Sequence, residues 1–357
     1  MENVFEARRE RLRRAMRQKG IDALLVSGAA NRYYLSGFEL HDVQFNESSG
    51  RLIVTTGGRD ILLTDPRYEE AALALWPAEG LRICRGDSAG ETARALGELG
   101  SRIGVESAGV AWAFIRSLSK AGPALSLEAA DGLVEGLRAI KDEAEIAALR
   151  RSFALNHRML EWLEGELAPG RTEREISWAI ERFFRENGAD ELAFPSIVAV
   201  DRNAAMPHAV PGDAAIPENG LVLVDVGCRV DGYCSDQTRT FEIGCCPAPA
   251  FARTFALVED AQRTAIRGMR PGMPFCEAYG LAMKVFEDAG EAGAFTHGLG
   301  HGVGLETHER PSLSTRGTGV LQPGMVVTVE PGLYYPAWGG VRREHTVLVT
   351  EDGVEVL

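Results

Sequence analysis

The chain has 357 residues, 38 basic and 51 acidic, and a formal net charge of −13. At about 150 residues per domain that length corresponds to about two domains. An apolar share of 45% and a charged share of 25% belong to a folded globular chain, not to a disordered, collagenous or membrane-embedded one. The acidic balance argues against nucleic-acid binding, which rests on clustered Lys and Arg.

No apolar run approaches the roughly 20 residues of a membrane span, so no membrane partner is expected. The opening segment MENVFEARRERLRRAMRQKG is charged throughout and lacks the apolar core of a signal peptide. A cytoplasmic location follows as the expectation. Six cysteines form no C-x-x-C pair, so they are read as reduced thiols, many of them buried.

In chain order, Phe5–Lys19 reads as a surface helix ending at Gly20. Short apolar strands then alternate with helices. The strands are placed at 21–26, 52–55, 61–63, 81–84 and 103–105, and the helices at 67–76, 91–99 and 112–121. This alternation predicts an α/β domain of about 130 residues, taken as 1–131. The second domain, 132–357, opens with a linker helix. Its helical stretch runs from Glu135 to Leu167, followed by a helix that starts at Thr172 with Glu175 in a capping box. After Glu191 strands dominate. LVLVDVGCRV and GYCSDQTRTFEI flank an Asp231-Gly232 turn, a strong hairpin signal. Two helices, 251–269 and 275–289, precede a final pair of strands.

The chemistry-bearing residues gather in this second half. Asp225 and Asp236 sit on the two arms of the predicted hairpin, where direct opposition brings Cβ atoms to roughly 5 Å. Two like charges that close repel unless a cation separates them; the bland alternative is two separately capped turn acids. Glu330 ends the apolar strand MVVTVE and Glu344 lies in GVRREHTVLV, so a second hairpin brings two more acids together. For Glu344 the alternative is a salt bridge to Arg342 or Arg343.

Four of the seven histidines fall between 297 and 345. His301 lies between glycines in GLGHGVG, where the backbone can approach another group closely. Four carboxylates and one imidazole suit Mn²⁺, Co²⁺ or Fe²⁺, with Zn²⁺ possible, and five ligands fit two metals better than one. His208, His297 and His308 are candidates for polarising a carbonyl or handling protons beside such a centre; singly, each reads as an ordinary structural histidine.

The strings VDVGCRVDGYCSDQTRTF, HGLGHGVGLETHERP, TVEPGLYYP and GVRRE, in this order, resemble the pita-bread metallopeptidases. NRYYLSGF at 31–38 resembles the opening of the two-domain prolidase and aminopeptidase P branch. The resemblance implies an α/β (α+β) chain with a creatinase-like N-terminal domain and a pita-bread catalytic domain of curved antiparallel sheet. It implies two divalent metal ions held by Asp225, Asp236, His301, Glu330 and Glu344, with Asp236 and Glu344 bridging. His208 and His308 match the histidines at the scissile carbonyl, Glu330 the proton shuttle, and His297 and Arg342 substrate-binding residues. The implied reaction is removal of an N-terminal residue from a peptide with proline second, in a homodimer. Arg343 and His345 depart from the proline-specific pattern of an apolar residue before Glu344 and an acid after it. They motivate an alternative, hydrolysis of a small amide or guanidino compound as in creatinase. A non-catalytic binding module is the third reading, and retention of all five ligand positions weighs against it.

Overall fold

A computed structural model describes residues 4–42, 44, 46–246 and 248–357. By internal contacts the chain divides into two units, the first ending at Arg138 and the second running from Ala139 to Leu357. The expected boundary at 131/132 lies just before the helix Leu133–Arg138. That helix stays with the first unit because Leu133 and Val134 are buried and the Arg138 guanidinium donates to Asn31 Oδ1 at 2.6 Å.

In the first unit six strands form one mixed sheet. Its central strands, Ala23–Val26 and Gly50–Thr55, pair antiparallel, while Ala23–Val26 pairs in parallel with Arg102–Val105. Ala23–Val26 is buried throughout, which is why it reads as an unbroken apolar run. The helix Val4–Lys19 is less a surface element than its sequence implied: Arg8, Arg9 and Arg13 are buried along with Leu12 and Met16. Long basic stems cover apolar surface while their ends reach partners. Arg13 Nε donates to the Thr55 carbonyl at 3.1 Å, and Arg9 Nε lies 3.0 Å from Asp60. The helix Ala29–Ser36 and the strand Ser126–Ala129 were not anticipated. Buried Glu106 anchors the start of that helix, accepting from the backbone of Ser27 and Gly28 and from Asn31 Nδ2.

The second unit begins with two helices, Glu143–Leu163 and Glu173–Glu186, each opened by a capping box, Asp142 with Glu145 and Thr172 with Glu175. The strand Gly220–Val226 runs antiparallel between Ile197–Val200 and Gln237–Ile243. Period-two alternation sends its side chains to two cores. Val222, Val224 and Val226 pack in the cluster that holds Leu160, Ile176 and Phe184 of the first two helices. Leu221 and Leu223 pack in the cluster that holds Val258, Ala278 and Phe286 from the helices Phe251–Gly268 and Phe275–Asp288. Asp225 follows Leu221 and Leu223 on their face. A five-stranded antiparallel sheet carries Gly300–Gly302 next to Val326–Val329, which pairs with His345–Val349. Among the described residues no helix is long and apolar enough to cross a membrane.

Candidate metal centre

The first hairpin turns at Asp231 and Gly232, whose φ values of 51° and 81° are those a two-residue turn with both central residues left-handed requires. This turn sets the register. Asp225 pairs with Thr238, not with Asp236. Carrying the register through from Arg229↔Cys234 places Asp236 opposite Gly227, so the two aspartates are diagonal neighbours on one face. The expectation of direct opposition is corrected by two residues of pairing, from Asp236 to Thr238 opposite Asp225, because the turn is centred on the Asp-Gly bond. The outcome for the site is unchanged: ligand atoms of Asp225, Asp236 and Glu344 lie within 4.8 Å of one another.

The second hairpin interrupts its ladder at the site. Val329↔His345 on one side and Gly332↔Arg342 on the other put Glu330 opposite Glu344. His301 arrives from Gly300–Gly302, where the flanking glycines have a steric reason. A Cβ at Gly300 would stand 1.9 Å from the Thr328 carbonyl oxygen, and one at Gly302 would stand 2.2 Å from that of Arg310.

The nine residues assigned to the site from the sequence line one cavity of about 520 Å³: His208, Asp225, Asp236, His297, His301, His308, Glu330, Arg342 and Glu344. His301 Nδ1 donates to the Gly302 carbonyl at 3.1 Å, which leaves Nε2 facing Glu330 Oε1 at 3.3 Å and Asp236 Oδ2 at 3.6 Å. That is how a ligand histidine is oriented from behind. The Thr238 hydroxyl donates to Glu344 Oε2 at 2.8 Å and the Thr328 hydroxyl to Glu330 Oε1 at 3.1 Å. Asp225 Oδ1 and Glu344 Oε1 are buried and have no hydrogen-bond partner among the described residues. A buried carboxylate oxygen without a partner is costly, and a cation is what this donor set lacks.

The electrostatics agree. Burial, then the neighbouring carboxylates, push Asp236 and Glu344 far above the usual carboxylate range. Asp225 is raised by burial as well, with Arg342 opposing. Glu330 differs: burial raises it, but the His301 hydrogen bond and charge outweigh that and hold it at about 2. Burial likewise works against the His301 cation, and Glu330 carries it to about 9. Three carboxyls that resist ionising and one His–Glu ion pair form a site that binds protons where metal would otherwise sit.

The second row of residues includes one the sequence did not single out. Tyr334 accepts from Arg342 Nη1 at 3.0 Å and donates to His297 Nε2 at 2.8 Å, while His297 Nδ1 donates to the Gly298 carbonyl at 2.8 Å. Arg342 Nη2 binds Asp225 Oδ2 at 2.6 Å. The only sequence signal for Tyr334 was its place two residues before a Pro in the strand LYYP. The ring of His308 meets that of His301 with centroids 4.1 Å apart. Arg343 and His345 do not line the cavity. His345 Nδ1 lies 3.4 Å from Arg239 Nη2, and burial, with Arg239 and Arg343, lowers its pKa to about 3.

The sequence model of metallopeptidase family M24 matches residues 147–351, and that of the creatinase/prolidase N-terminal domain matches residues 8–140. The chain belongs to metallopeptidase family M24. As a member of that family it joins a creatinase-like N-terminal domain to a pita-bread catalytic domain and uses divalent metal ions. Among relatives, it is 32% identical to a Xaa-Pro dipeptidase of Pyrococcus horikoshii, with 95% of this chain and 93% of that protein covered. A Xaa-Pro dipeptidase from Bacillus anthracis superposes with a TM-score of 0.91 at 33% identity, covering 99% and 97% of the two chains. An X-Pro aminopeptidase from Thermotoga maritima superposes with a TM-score of 0.83 at 29% identity, covering 96% and 97%. The likeness to these relatives spans both units.

Proposed function

We propose that this M24 peptidase hydrolyses the amide bond between an N-terminal residue and a following proline. Asp225, Asp236, His301, Glu330 and Glu344 are the residues assigned to hold two divalent ions. The observation that carries the assignment is the convergence of these five groups with two buried carboxylate oxygens left unpartnered. Bound divalent ions supply charge that makes a water nucleophilic near neutral pH and polarises the scissile carbonyl. An oxygen-rich set with one imidazole favours Mn²⁺, Co²⁺ or Fe²⁺, with Zn²⁺ accommodated.

The chain's own groups handle the proton and the geometry. Glu330 takes the proton from the attacking water and returns it to the proline nitrogen as the C–N bond breaks. His308 and His208 face the cavity to donate to the carbonyl oxygen as it gains charge. His297 has both ring nitrogens committed, so it serves as a wall for the proline ring, which itself brings no N–H to the scissile nitrogen. Arg342 fixes Asp225 and Tyr334. Arg343 and His345, the residues that motivated the guanidino-compound reading, are not among those lining the cavity, which removes that reading's support.

A cytoplasmic homodimer remains part of the proposal, and light scattering tests the assembly. The deciding experiment is metal-reconstituted activity on Xaa-Pro peptides with wild type and Asp236→Ala. A purified protein that binds no divalent metal, or an Asp236→Ala protein as active as wild type, overturns the reading.

A further inference from the structure

We infer that the chain binds a small oxyanion at a second site, outside the substrate cavity, built by Arg239, Arg343, His345 and His157. The inference does not rest on the Xaa-Pro reading. It starts from Arg343 and His345, the two residues of the last motif that the cavity does not use.

Thr238 turns its hydroxyl to Glu344, so the next residue of the strand Gln237–Ile243, Arg239, points to the other face. Its Nη1 donates to the carbonyls of Thr238 and Glu344. Its Nη2 donates to Gln237 Oε1 at 2.8 Å and lies 3.4 Å from His345 Nδ1. None of these partners is an acid, and no carboxylate among the described residues forms an ion pair with this guanidinium. Burial, then Arg343, lower the Arg239 pKa to about 10, with Glu344 opposing. The Glu344 charge is the one assigned to the metal ions, which leaves Arg239 less compensated still.

The hydrogen bonds fix where the protons sit. A guanidinium has only donors, so His345 Nδ1 is the acceptor and the imidazole N–H is on Nε2. Gln237 accepts from Arg239 through Oε1, so its amide nitrogen donates to His157 Nε2 at 2.8 Å. The His157 N–H is therefore on Nδ1. Both imidazoles are neutral, since burial and the neighbouring guanidiniums lower their pKa values, with Glu161 opposing at His157. Neither His345 Nε2 nor His157 Nδ1 has a hydrogen-bond partner among the described residues. The Arg343 ion pair with Glu259 is open to 3.8 Å, between side chains 30% and 35% exposed.

Arg239, Arg343 and His157 all act on His345, which places the groups in one patch. Its side chains are half-buried, so solvent reaches them while charge-assisted bonds keep their strength. Groups that only donate, around a guanidinium without a counter-charge, are complementary to an anion. An oxyanion supplies the missing acceptors and the missing charge together; a cation finds no acceptor there.

The test is isothermal titration calorimetry with sulfate at constant ionic strength, on metal-loaded full chain: wild type, His345→Asp and Arg343→Gln. The aspartate sets a carboxylate beside Arg239 and competes for the site from within. Saturable sulfate binding to wild type is expected, weakened at least about tenfold in His345→Asp and about three- to tenfold in Arg343→Gln. Sulfate should also raise the Tm of wild type and leave that of His345→Asp unmoved. Wild type without saturable binding overturns the inference. So does a folded His345→Asp that binds as tightly as wild type, which would put the anion at the metal centre both proteins share. Where His345→Asp does not fold, undiminished binding by Arg343→Gln overturns it.

Discussion

The substitution Glu344→Gln should stabilise the metal-free protein while abolishing its stabilisation by metal. The side-chain amide keeps the acceptor for the Thr238 hydroxyl, and its N–H₂ replaces the unpartnered Oε1 with a donor aimed at carboxylates. Ligand atoms of Asp225, Asp236 and Glu344 lie within 4.8 Å of one another. At an effective dielectric of about 20, each ionised pair at that separation costs about 3.5 kcal/mol. Proton uptake at neutral pH removes part of this cost, so a net gain of about 1–2 kcal/mol is expected at about pH 8. For a unit of this size that corresponds to a Tm rise of roughly 3–8 °C in chelator. Wild type should gain about 2.7 kcal/mol from Mn²⁺ at about a hundred times its Kd, and the variant should gain less than a third of that. The pH dependence has a fixed sign. Asp236 and Glu344 titrate higher in the folded protein than in the unfolded chain, so their contribution is greatest at low pH and is lost as pH rises through the folded values. The Glu344→Gln protein should therefore show a flatter Tm–pH curve in chelator. Differential scanning calorimetry with EDTA and with Mn²⁺ decides it: a variant destabilised in EDTA, or one stabilised by Mn²⁺ as much as wild type, refutes the argument.

Three further outcomes are expected. Arg342→Lys keeps a charge but loses the fork that reaches Thr238, Tyr334, Pro207 and Asp225 together, so kcat/KM should fall by about 30- to 100-fold; a change below about threefold would show that the fork is dispensable. His345→Ala, at a side chain that does not line the cavity, should leave Xaa-Pro cleavage within about threefold, and neither protein should hydrolyse creatine; a loss of about tenfold would return His345 to the site. Buried Glu106 in the first unit is pushed up to about 7 by burial, against the donors from Gly28, Ser27 and Asn31. Its contribution is intact below the unfolded value near 4.5 and is lost as pH rises through 7, about 3 kcal/mol in all. Hydrogen exchange along Arg102–Val105 should thus speed up from about pH 5 to about pH 8, after correction for intrinsic rates, and Glu106→Gln should blunt that change.

What the sequence disclosed, and what it hid, follow from the range of the forces involved. Turn chemistry is local, so Asp231-Gly232 announced the first hairpin, and the break in the apolar run at Asp225 marked a carboxylate that only a cation or a strong donor could keep. The pairing was misjudged by two residues because the count was centred one residue before the middle of the turn. The second hairpin needed no correction: the ladders on both sides place Glu330 opposite Glu344. Side-chain partners far apart in sequence left no local trace. Tyr334 reads as one more aromatic strand residue until Arg342 and His297 are seen on either side of its hydroxyl. Arg8, Arg9 and Arg13 read as a solvated face until Asp60 and the carbonyls of Tyr34, Leu35 and Thr55 are folded against them. His345 is the sharpest case. Its position beside Glu344 motivated the guanidino-compound alternative, yet the strand His345–Val349 begins at His345 itself and Glu344 lies in the break that precedes it. Glu344 turns toward the carboxylates and His345 toward Arg239, so the one-residue step that makes a ligand of the first removes the second from the chemistry.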